Sequence, residues 1–357
     1  MSLAEKAKEF TMGLGADFVG VAPRSRFDSA PSWSDPARLL PGYACVVSFG
    51  IAMDRGSLEA WFSKASRRPL VLQSKLATTE LDVIAFKLSR WLERQGHKTT
   101  YVAQNFHYNL FRGRPDFSHK HAAMAAGLGR LGSSSLLVHP THGAAVHLGS
   151  VITEAEMEPD PILAEEDNPC VSCNICVQIC PTRAMEPDRS ESFVMAGELY
   201  SHYRVDNLKC AWGCAGLTGH QYKISNQTVG TWAYNDLEMP HSAYEFLSKF
   251  SEADRRLRHP MEIAEILITN GTEFCGNCSK VCVGSRRGTA AMLKLHMRSG
   301  LVQIPEDPTL LYHLKAANES LQPHDIPDEV KELLISRYAE THKVPADTHQ
   351  QSGKAQS

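Results

Sequence analysis

Hydrophobic and polar positions divide the first part of the chain into short helices and strands. Apolar residues at three- and four-residue steps predict helices over 3–14, 74–95 and 119–128. Short apolar and β-branched runs predict strands over 17–22, 44–51, 99–103, 135–138 and 146–152. Helices alternating with strands over 1–155 predict an α/β or α+β domain built on a mixed sheet, of which we favour α+β.

The pattern changes beyond residue 155. An acidic, proline-containing stretch over 158–169 predicts a domain boundary, and helical spacing returns over 243–270 and 289–298. After about residue 340 the chain is polar and without periodicity, which is typical of a disordered tail. The predicted parts are a domain over 1–155, a cysteine-rich part over 156–300, a helical extension over 301–339 and the tail over 340–357.

Charge and hydropathy exclude several classes of protein. Lys and Arg number 37 against 40 Asp and Glu, so a net charge of −3 argues against bulk binding to DNA. No run of 18 apolar residues is present, so a membrane helix is not expected. The first ten residues, MSLAEKAKEF, lack the apolar segment of an export signal, and we expect a cytoplasmic protein.

Cysteine spacing is the strongest chemical signal. Nine of the ten cysteines lie between Cys170 and Cys282, and only Cys45 stands apart. In a reducing compartment, clustered cysteines indicate metal rather than disulfides. The run Cys170-x-x-Cys173-x-x-Cys176-x-x-x-Cys180-Pro181 is typical of bacterial ferredoxins, in which the fourth cysteine ligates the other of two clusters.

This crossover predicts two [4Fe–4S] clusters with four thiolates each. The first cluster takes Cys170, Cys173, Cys176 and Cys282. The second takes Cys180, Cys275, Cys278 and either Cys210 or Cys214. Structural zinc is the alternative, although zinc sites do not need a run that ends in Cys-Pro. Cys45 and the unused cysteine of the 210/214 pair are interpreted as small buried residues.

A glycine-rich segment lies upstream of the clusters. It reads Ala126-Gly127-Leu128-Gly129-Arg130-Leu131-Gly132, and it is followed by Gly143 and by Leu148-Gly149-Ser150-Val151-Ile152-Thr153. Together with the cysteine order, this segment resembles epoxyqueuosine reductases and reductive dehalogenases over roughly residues 3–285. In that superfamily an isolated cysteine precedes the last run, and Cys210 matches it best.

The resemblance implies a nitroreductase-like mixed-sheet domain that binds base-off cobalamin, followed by a ferredoxin-like domain that holds two [4Fe–4S] clusters. An external donor such as ferredoxin or flavodoxin would supply electrons, and the reduced substrate would be small or nucleoside-like. The implied cobalamin contacts are Gly127, Gly129, Gly132, Ser133, Gly143 and Gly149. Ordinary turn formation is the alternative role of these glycines.

The resemblance also implies a proton donor. Asp116 stands at the distance from the glycine segment at which epoxyqueuosine reductases carry an acid, and His107 and Tyr108 precede it. A helix N-cap is the alternative role of Asp116. Arg112, Arg114 and Arg130 are candidates for an anion or are solvent-facing. The histidines considered as cofactor contacts are His119, His121, His139, His142 and His147.

Three family features are missing. Ser133 replaces a Lys or Arg, the Asp-Tyr-His segment has no counterpart, and the C-terminal helical repeat found in some epoxyqueuosine reductases is absent. We therefore do not expect tRNA binding. The alternative function is an electron-transfer protein or corrinoid carrier without turnover of its own. An interaction module with structural clusters is least favoured, because the Cys-Pro crossover places two clusters close together.

Overall fold

The structure is a computed structural model, and it describes residues 1–103, 115, 117–219, 221–233, 238–256, 274–303 and 313–315. Its helices are α1 Leu3–Gly13, α2 Arg55–Phe62, α3 Arg68–Arg94, α4 His119–Ala125, α5 Ile175–Gln178, α6 Asn207–Cys214, α7 Ala243–Arg256, α8 Asn277–Val281 and α9 Arg286–Arg298. Its strands are β1 Phe18–Pro23, β2 Cys45–Ala52, β3 Thr99–Tyr101, β4 Arg130–Leu131, β5 Leu137–Val138, β6 Val146–Thr153, β7 Met185–Met195, β8 Glu198–Val205, β9 Gln221–Ile224, β10 Gln227–Gly230, β11 Leu301–Gln303 and β12 His313–Lys315.

A four-stranded sheet forms the centre of the first part, in the order β1-β2-β6-β3. The strand pairs of this sheet are all antiparallel in the described residues. The α+β class is confirmed, but the mixed sheet is wrong for this region. Sequence patterns locate strands without giving their direction, which depends on the connections between them.

The sheet is buried on both faces. Val47 and Phe49 point toward α1 and α3, whereas Val46 and Ile152 point toward α4. Successive residues of a strand face opposite sides, so apolar residues at nearly every position of β2 are required for a sheet covered by helices on both faces. Cys45 belongs to the α3 side and is 3% exposed, which agrees with its interpretation as a buried residue.

A third apolar cluster joins α2 to the cysteine-rich part. Trp61 of α2 and Trp232 after β10 pack with Ile179, Val281 and further residues of α5, α8 and α9. The indole of Trp61 donates to the side chain of Asn277 at 2.9 Å, and Trp232 donates to the Trp61 carbonyl at 3.2 Å. These contacts fix the cysteine loops against the first part of the chain.

Several predicted elements have different bounds. The long helix begins at Arg68 rather than 74, because Pro69 in its first turn fits a helix start that hydrophobic periodicity does not reveal. Helix α2 and the β7–β8 hairpin were missed. Strand β7 is exposed at most positions, so it lacks the apolar alternation that predicts a strand.

The C-terminal region is described only in part. The predicted helix over 243–270 is present as far as Arg256, and the remainder lies outside the described residues. Within 301–339, the described residues form the antiparallel pair of β11 and β12 instead of a helix. The tail over 340–357 lies outside the described residues.

Candidate functional site

The ferredoxin-like run begins in an irregular loop. Ser172 and Asn174 adopt left-handed backbone angles, with φ of 49° and 58°, and Asn174 precedes the single turn of α5 that carries Cys176. Tyr203 of β8 donates to the Asn174 side chain at 2.9 Å and holds the loop against the hairpin. Left-handed residues turn the chain sharply, so three closely spaced thiols face one small space.

The cysteines separate into two groups, each lining its own cavity. The first group lines a cavity of about 50 Å³ and consists of Cys170, Cys173, Cys176 and Cys282. The second group lines a cavity of about 850 Å³ and consists of Cys180, Cys210, Cys214, Cys275 and Cys278. The chain crosses between groups at Cys180 and again at Cys282. This is the exchange that the sequence predicts.

Backbone contacts position Cys282 in the first group. Ala144 and Ala145 both donate to the Cys282 carbonyl, at 2.9 and 3.2 Å. Gly143 precedes them with φ +65°, and a Cβ there would collide with the Cys282 carbonyl oxygen and the Gly284 nitrogen. Gly143 is therefore required for the close approach of the β5–β6 turn to the last cysteine run.

The thiols are buried and lie near one another. Burial, followed by Cys170 and Cys173, raises the pKa of Cys176 to about 12. Burial, followed by Cys214, raises the pKa of Cys275 to about 12. Metal ligation requires deprotonated thiols, so a bound cation would have to offset this cost of burying their charge. Across the described residues, no three His, Cys, Asp or Glu side chains converge on a position suitable for a single metal ion.

Both candidate residues of the 210/214 pair reach the second group. They lie four residues apart on α6, whose first turn is capped by the Asp206 carboxylate. A side-chain hydrogen bond with Cys214, followed by burial, raises the pKa of Cys210. Cys210 is the more buried of the two, and Cys214 is exposed. The second group therefore contains five thiols, one more than the four ligands that the sequence predicts for it.

The larger cavity has a polar wall opposite the cysteines. This wall includes α4, the loop at Ser134 and Ser135, and His202 of β8. Lys120 donates from its Nζ to the carbonyl and to the hydroxyl of Ser135, at 2.7 and 3.1 Å. Burial lowers the pKa of Lys120 to about 8, so its ammonium is a readier proton donor than an exposed lysine.

Two histidines of α4 also line this wall. His121 is 2% exposed and packs between the rings of Trp33 and Phe193, at centroid distances of 5.2 and 4.7 Å. Burial, then Lys120 and His202, lowers the pKa of His121 well below its usual value. The Nδ1 of His119 lies 3.0 Å from the Ser150 hydroxyl, and burial lowers the His119 pKa to about 4. Both rings are neutral at pH 7.

The candidate proton donors His107, Tyr108 and Asp116 lie outside the described residues. Their neighbours Pro115 and Phe117 line the larger cavity. Arg112 and Arg114 also lie outside the described residues.

Arg130 is neither solvent-facing nor directed at a ligand. It is 1% exposed, and its guanidinium pairs with Glu165 and Glu198 at 2.5 and 2.7 Å. It also lies 4.8 Å from the centre of the Tyr200 ring. Arginine satisfies several acceptors at once through its planar fork, so Arg130 ties β4 to β8 and to the acidic segment before the cysteines.

The glycine segment packs against the protein itself. A Cβ on Gly127 would meet the Pro161 carbonyl, one on Gly129 the Val138 carbonyl, and one on Gly149 the Phe49 ring. A Cβ added to Gly132 would lie 3.5 Å from the Cys170 sulfur. None of the glycines predicted to contact cobalamin lines the larger cavity in the described residues. The turn-forming alternative accounts for their positions.

The remaining candidate cofactor contacts lie at the two cavities or in a turn. Ser133 lines the smaller cavity, and its backbone N–H donates to the Cys170 thiol at 3.4 Å. His147 lines the larger cavity. His139 stacks on Phe18 at 4.3 Å, its Nδ1 accepts from the backbone of residues 141 and 142, and its ring lies 5.0 Å from that of His142. Lys120 and His202 were not predicted, because nothing in the local sequence brings β8 beside α4.

Comparison with known proteins adds independent information. No family model matches the chain. The epoxyqueuosine reductase of Pseudomonas aeruginosa is 25% identical over 325 residues, covering 86% of this chain and 81% of that protein. The chain is similar to epoxyqueuosine reductases over most of its length.

Other relatives match over shorter stretches. The epoxyqueuosine reductase of Listeria monocytogenes is 41% identical over 63 residues, or 18% of this chain and 16% of that protein. The Vibrio cholerae protein is 26% identical over 206 residues, or 51% of this chain and 54% of that protein. These two matches span less than two thirds of each relative.

Solved structures align with the chain at low identity. A reductive dehalogenase described with a B12-dependent mechanism aligns with a TM-score of 0.44 and 17% identity, covering 92% of this chain and 42% of that protein. Epoxyqueuosine reductase from Streptococcus thermophilus aligns with a TM-score of 0.41 and 13% identity, covering 95% of this chain and 100% of that protein.

The expectation that tRNA is not a partner is wrong. An epoxyqueuosine reductase has been solved with an epoxyqueuosine-modified tRNA stem loop, and it aligns with 51% of this chain at a TM-score of 0.35 and 20% identity. The missing C-terminal repeat was the reason for the expectation. A protein can bind tRNA through other surfaces, so the absence of one extension does not exclude it.

The described residues contain no helix that is both long and apolar enough to span a bilayer.

Proposed function

We propose that this chain is a cytoplasmic reductase in which two [4Fe–4S] clusters pass electrons to a bound cobalamin, which reduces a small or nucleoside-like substrate. One observation carries the proposal. The second cysteine group lines the cavity of about 850 Å³, so electrons that reach this group arrive beside a space of ligand size. The sequence relatives of this chain are named as reductases, which supports an enzymatic function.

The two cysteine groups fit the clusters by number and chemistry. Cys170, Cys173, Cys176 and Cys282 would hold the first cluster. Cys180, Cys210, Cys275 and Cys278 would hold the second, with Cys214 beside them. All ten cysteines are free thiols in the structure. Ser133 N–H donates to Cys170, and such hydrogen bonds to cluster sulfurs tune the reduction potential.

The larger cavity fits an amphipathic cofactor with amide and phosphate side groups. Trp33, Phe117 and Phe193 offer apolar surface, while Lys120, Ser134 and Ser135 offer polar groups. Cobalamin would supply a low-potential cobalt centre that reduces the substrate in steps of one or two electrons. The base-off state stays a prediction, as do the domain bounds and an electron donor such as ferredoxin or flavodoxin.

Proton delivery is assigned to groups at the cavity. His107, Tyr108 and Asp116 remain the proposed donors. The described wall adds Lys120, whose ammonium is held at Ser135 and whose pKa of about 8 leaves it mostly protonated at pH 7. His119 and His121 are neutral at that pH, so each can accept a proton only at a nitrogen that carries none.

Anaerobic purification followed by a hydroxocobalamin titration tests this function. About eight iron and eight sulfide per chain, with a saturable shift of the corrinoid spectrum, is the expected result. A Phe193→Ala variant provides a matched cavity change that leaves all cysteines in place. Binding should weaken in this variant while the iron content stays the same.

Full iron content without corrinoid binding would overturn the cobalamin reductase and leave an electron-transfer protein. Iron content well below eight would overturn the two-cluster assignment itself. With binding established, turnover is screened on small molecules and on an epoxyqueuosine-modified tRNA stem loop, because a structural neighbour was solved with that RNA.

A further inference from the structure

A lysine is buried beside the second cysteine group. Lys64 follows α2 in a left-handed conformation, with φ 61°, and is 3% exposed. Its Nζ lies 3.0 Å from the Nδ1 of His296 and 5.5 Å from the centre of the Trp232 ring. No carboxylate of the described residues forms an ion pair with it. Buried lysines without such a partner are rare, because desolvation of an ammonium is costly.

A directional hydrogen-bond chain begins at Lys64. Tyr222 donates its only hydroxyl proton to the Ile179 carbonyl at 2.8 Å, so at the His296 Nε2, 2.9 Å away, the hydroxyl accepts. This assigns the proton of His296 to Nε2 and leaves Nδ1 as an acceptor for Lys64. His296 is fully buried and its pKa is lowered well below the usual value by burial and then by Lys64, so the ring is neutral.

This series of hydrogen bonds ends beside the cysteines of the second group. Ile179 immediately precedes Cys180, and Cys275 and Cys180 both contribute to raising the pKa of Tyr222, after burial. Trp61, three residues before Lys64, donates to Asn277, which lies between Cys275 and Cys278. The Trp61–Asn277 bond therefore ties α2, which Lys64 follows, to this group, and the charge of Cys275 opposes the effect of burial on the Lys64 pKa.

A four-cysteine [4Fe–4S] cluster is anionic, and reduction adds a further negative charge. A nearby buried cation favours the reduced form, and cluster potentials depend on such net charge. We propose that Lys64 is the counter-charge of the second cysteine group and raises the reduction potential of the cluster bound there. Lys64 supplies a fixed positive charge near this group, and His296 and Tyr222 hold its ammonium in place.

Burial also indicates that Lys64 is not retained for stability. Desolvation lowers the pKa of Lys64 to about 7, while the negative charge of Cys275 opposes this change. The cation is thus favoured when thiolates and a cluster are present and disfavoured when they are absent. An apolar residue of similar length would be expected to stabilise the cluster-free protein equally well or better.

The experiment compares the two cluster potentials of the iron-loaded full chain by EPR-monitored redox titration. Lys64→Met should lower one potential and leave the other unchanged. A unit charge at about 10 Å and an effective dielectric of about 20 changes the equilibrium about tenfold, which is about 59 mV for a one-electron couple. Lys64→Arg should retain the wild-type potential. Lys8→Met, which removes a lysine paired with Asp160, is the matched control and should change neither.

The inference rests on the proposed clusters, and the two fail differently. Iron and sulfide are measured first, and a wild-type protein without two clusters overturns the proposed function. Two intact clusters with both potentials unchanged in Lys64→Met overturn the role of Lys64. If Lys64→Met does not accumulate, Tyr222→Phe removes one hydroxyl from the chain and should lower the same potential by a smaller amount. No change in that variant would equally overturn the role.

Discussion

The two cysteine groups have the same ligand chemistry in different surroundings. The first group lines a cavity of about 50 Å³ among loop backbone at Ser133, Ser134 and Ser285. The second lines a cavity of about 850 Å³. Tyr222, which is hydrogen-bonded to His296 and through it to Lys64, donates to the carbonyl of Ile179, the residue before Cys180. Cluster potential depends on charge, hydrogen bonds and solvent around the sulfurs. Clusters with the same four thiolate ligands can therefore differ in reduction potential and in function because their surroundings differ.

This difference suggests in which order electrons would pass through the two groups. A cluster at the first group could accept and pass electrons, but the cavity of about 50 Å³ there is too small for a substrate or large cofactor. A cluster that shares a wall with a ligand-sized cavity can deliver them. Under the proposed function, electrons would enter at the first group and leave from the second.

Serine substitution of one cysteine from each group should give the largest effect, a loss of iron. Cys176→Ser and Cys278→Ser should each lose about half of the iron, because each removes one corner of a different cluster. Corrinoid binding should survive in Cys176→Ser and weaken in Cys278→Ser, whose thiol lines the larger cavity. Iron analysis and the hydroxocobalamin titration measure both effects. Wild-type iron content in either variant would contradict the assignment of that cysteine.

The five thiols of the second group give the next largest effect. Cys210→Ala should lose about four iron per chain, whereas Cys214→Ala should keep them, because Cys210 is the more buried residue and matches the family position. Iron content and the EPR spectrum of the reduced protein distinguish the two. The reverse result would make Cys214 the ligand.

The closeness of the first group to β6 can be tested at Gly143. Gly143→Ala should be at least about 2 kcal/mol less stable, since positive φ and a collision with the Cys282 backbone both oppose a Cβ. Gly197→Ala is the matched control. Gly197 has φ +78° but nothing within 4 Å of its added Cβ, so only the conformational cost remains. Urea unfolding measures both, and equal losses would show that the contact with Cys282 is unimportant.

The smallest effect concerns Lys120 at the larger cavity. Its pKa of about 8 lies below the usual 10.5, so between these values the unfolded chain binds more protons and stability rises with pH. The free energy of unfolding of the wild type should therefore rise relative to Lys120→Met from pH 8 to 10.5. Below pH 8 the difference should be constant. Parallel curves across the whole range would show that Lys120 is not desolvated.

Much of this arrangement follows from local sequence. Five predicted strands and the helices at 3–14, 74–95 and 119–128 are present, with shifts at their ends. The exchange of Cys180 and Cys282 between groups was predicted from the Cys-Pro run, because ligand spacing reflects the shape of a cluster. The exposed β7–β8 hairpin was missed, because polar strands carry no periodic signal.

The candidate cavity was predicted less well, for a physical reason. The glycines were assigned to a cofactor, yet the structure packs Gly127 and Gly129 against backbone carbonyls. A glycine permits close approach without specifying whether the approaching group is a ligand or the chain itself. Lys120 and His202 meet only because β8 folds beside α4, and no spacing in the sequence records that contact.

The sequence alone indicated the grouping of the cysteines, the α+β class and the resemblance to epoxyqueuosine reductases, since each depends on residue type at short spacing. Only the tertiary structure decided which groups surround the thiols. It placed Lys64 and His296, which are far apart in the chain, 3.0 Å from each other beneath the second group. Burial and long-range contact set the electrostatics of a site, and both exist only after the chain has folded.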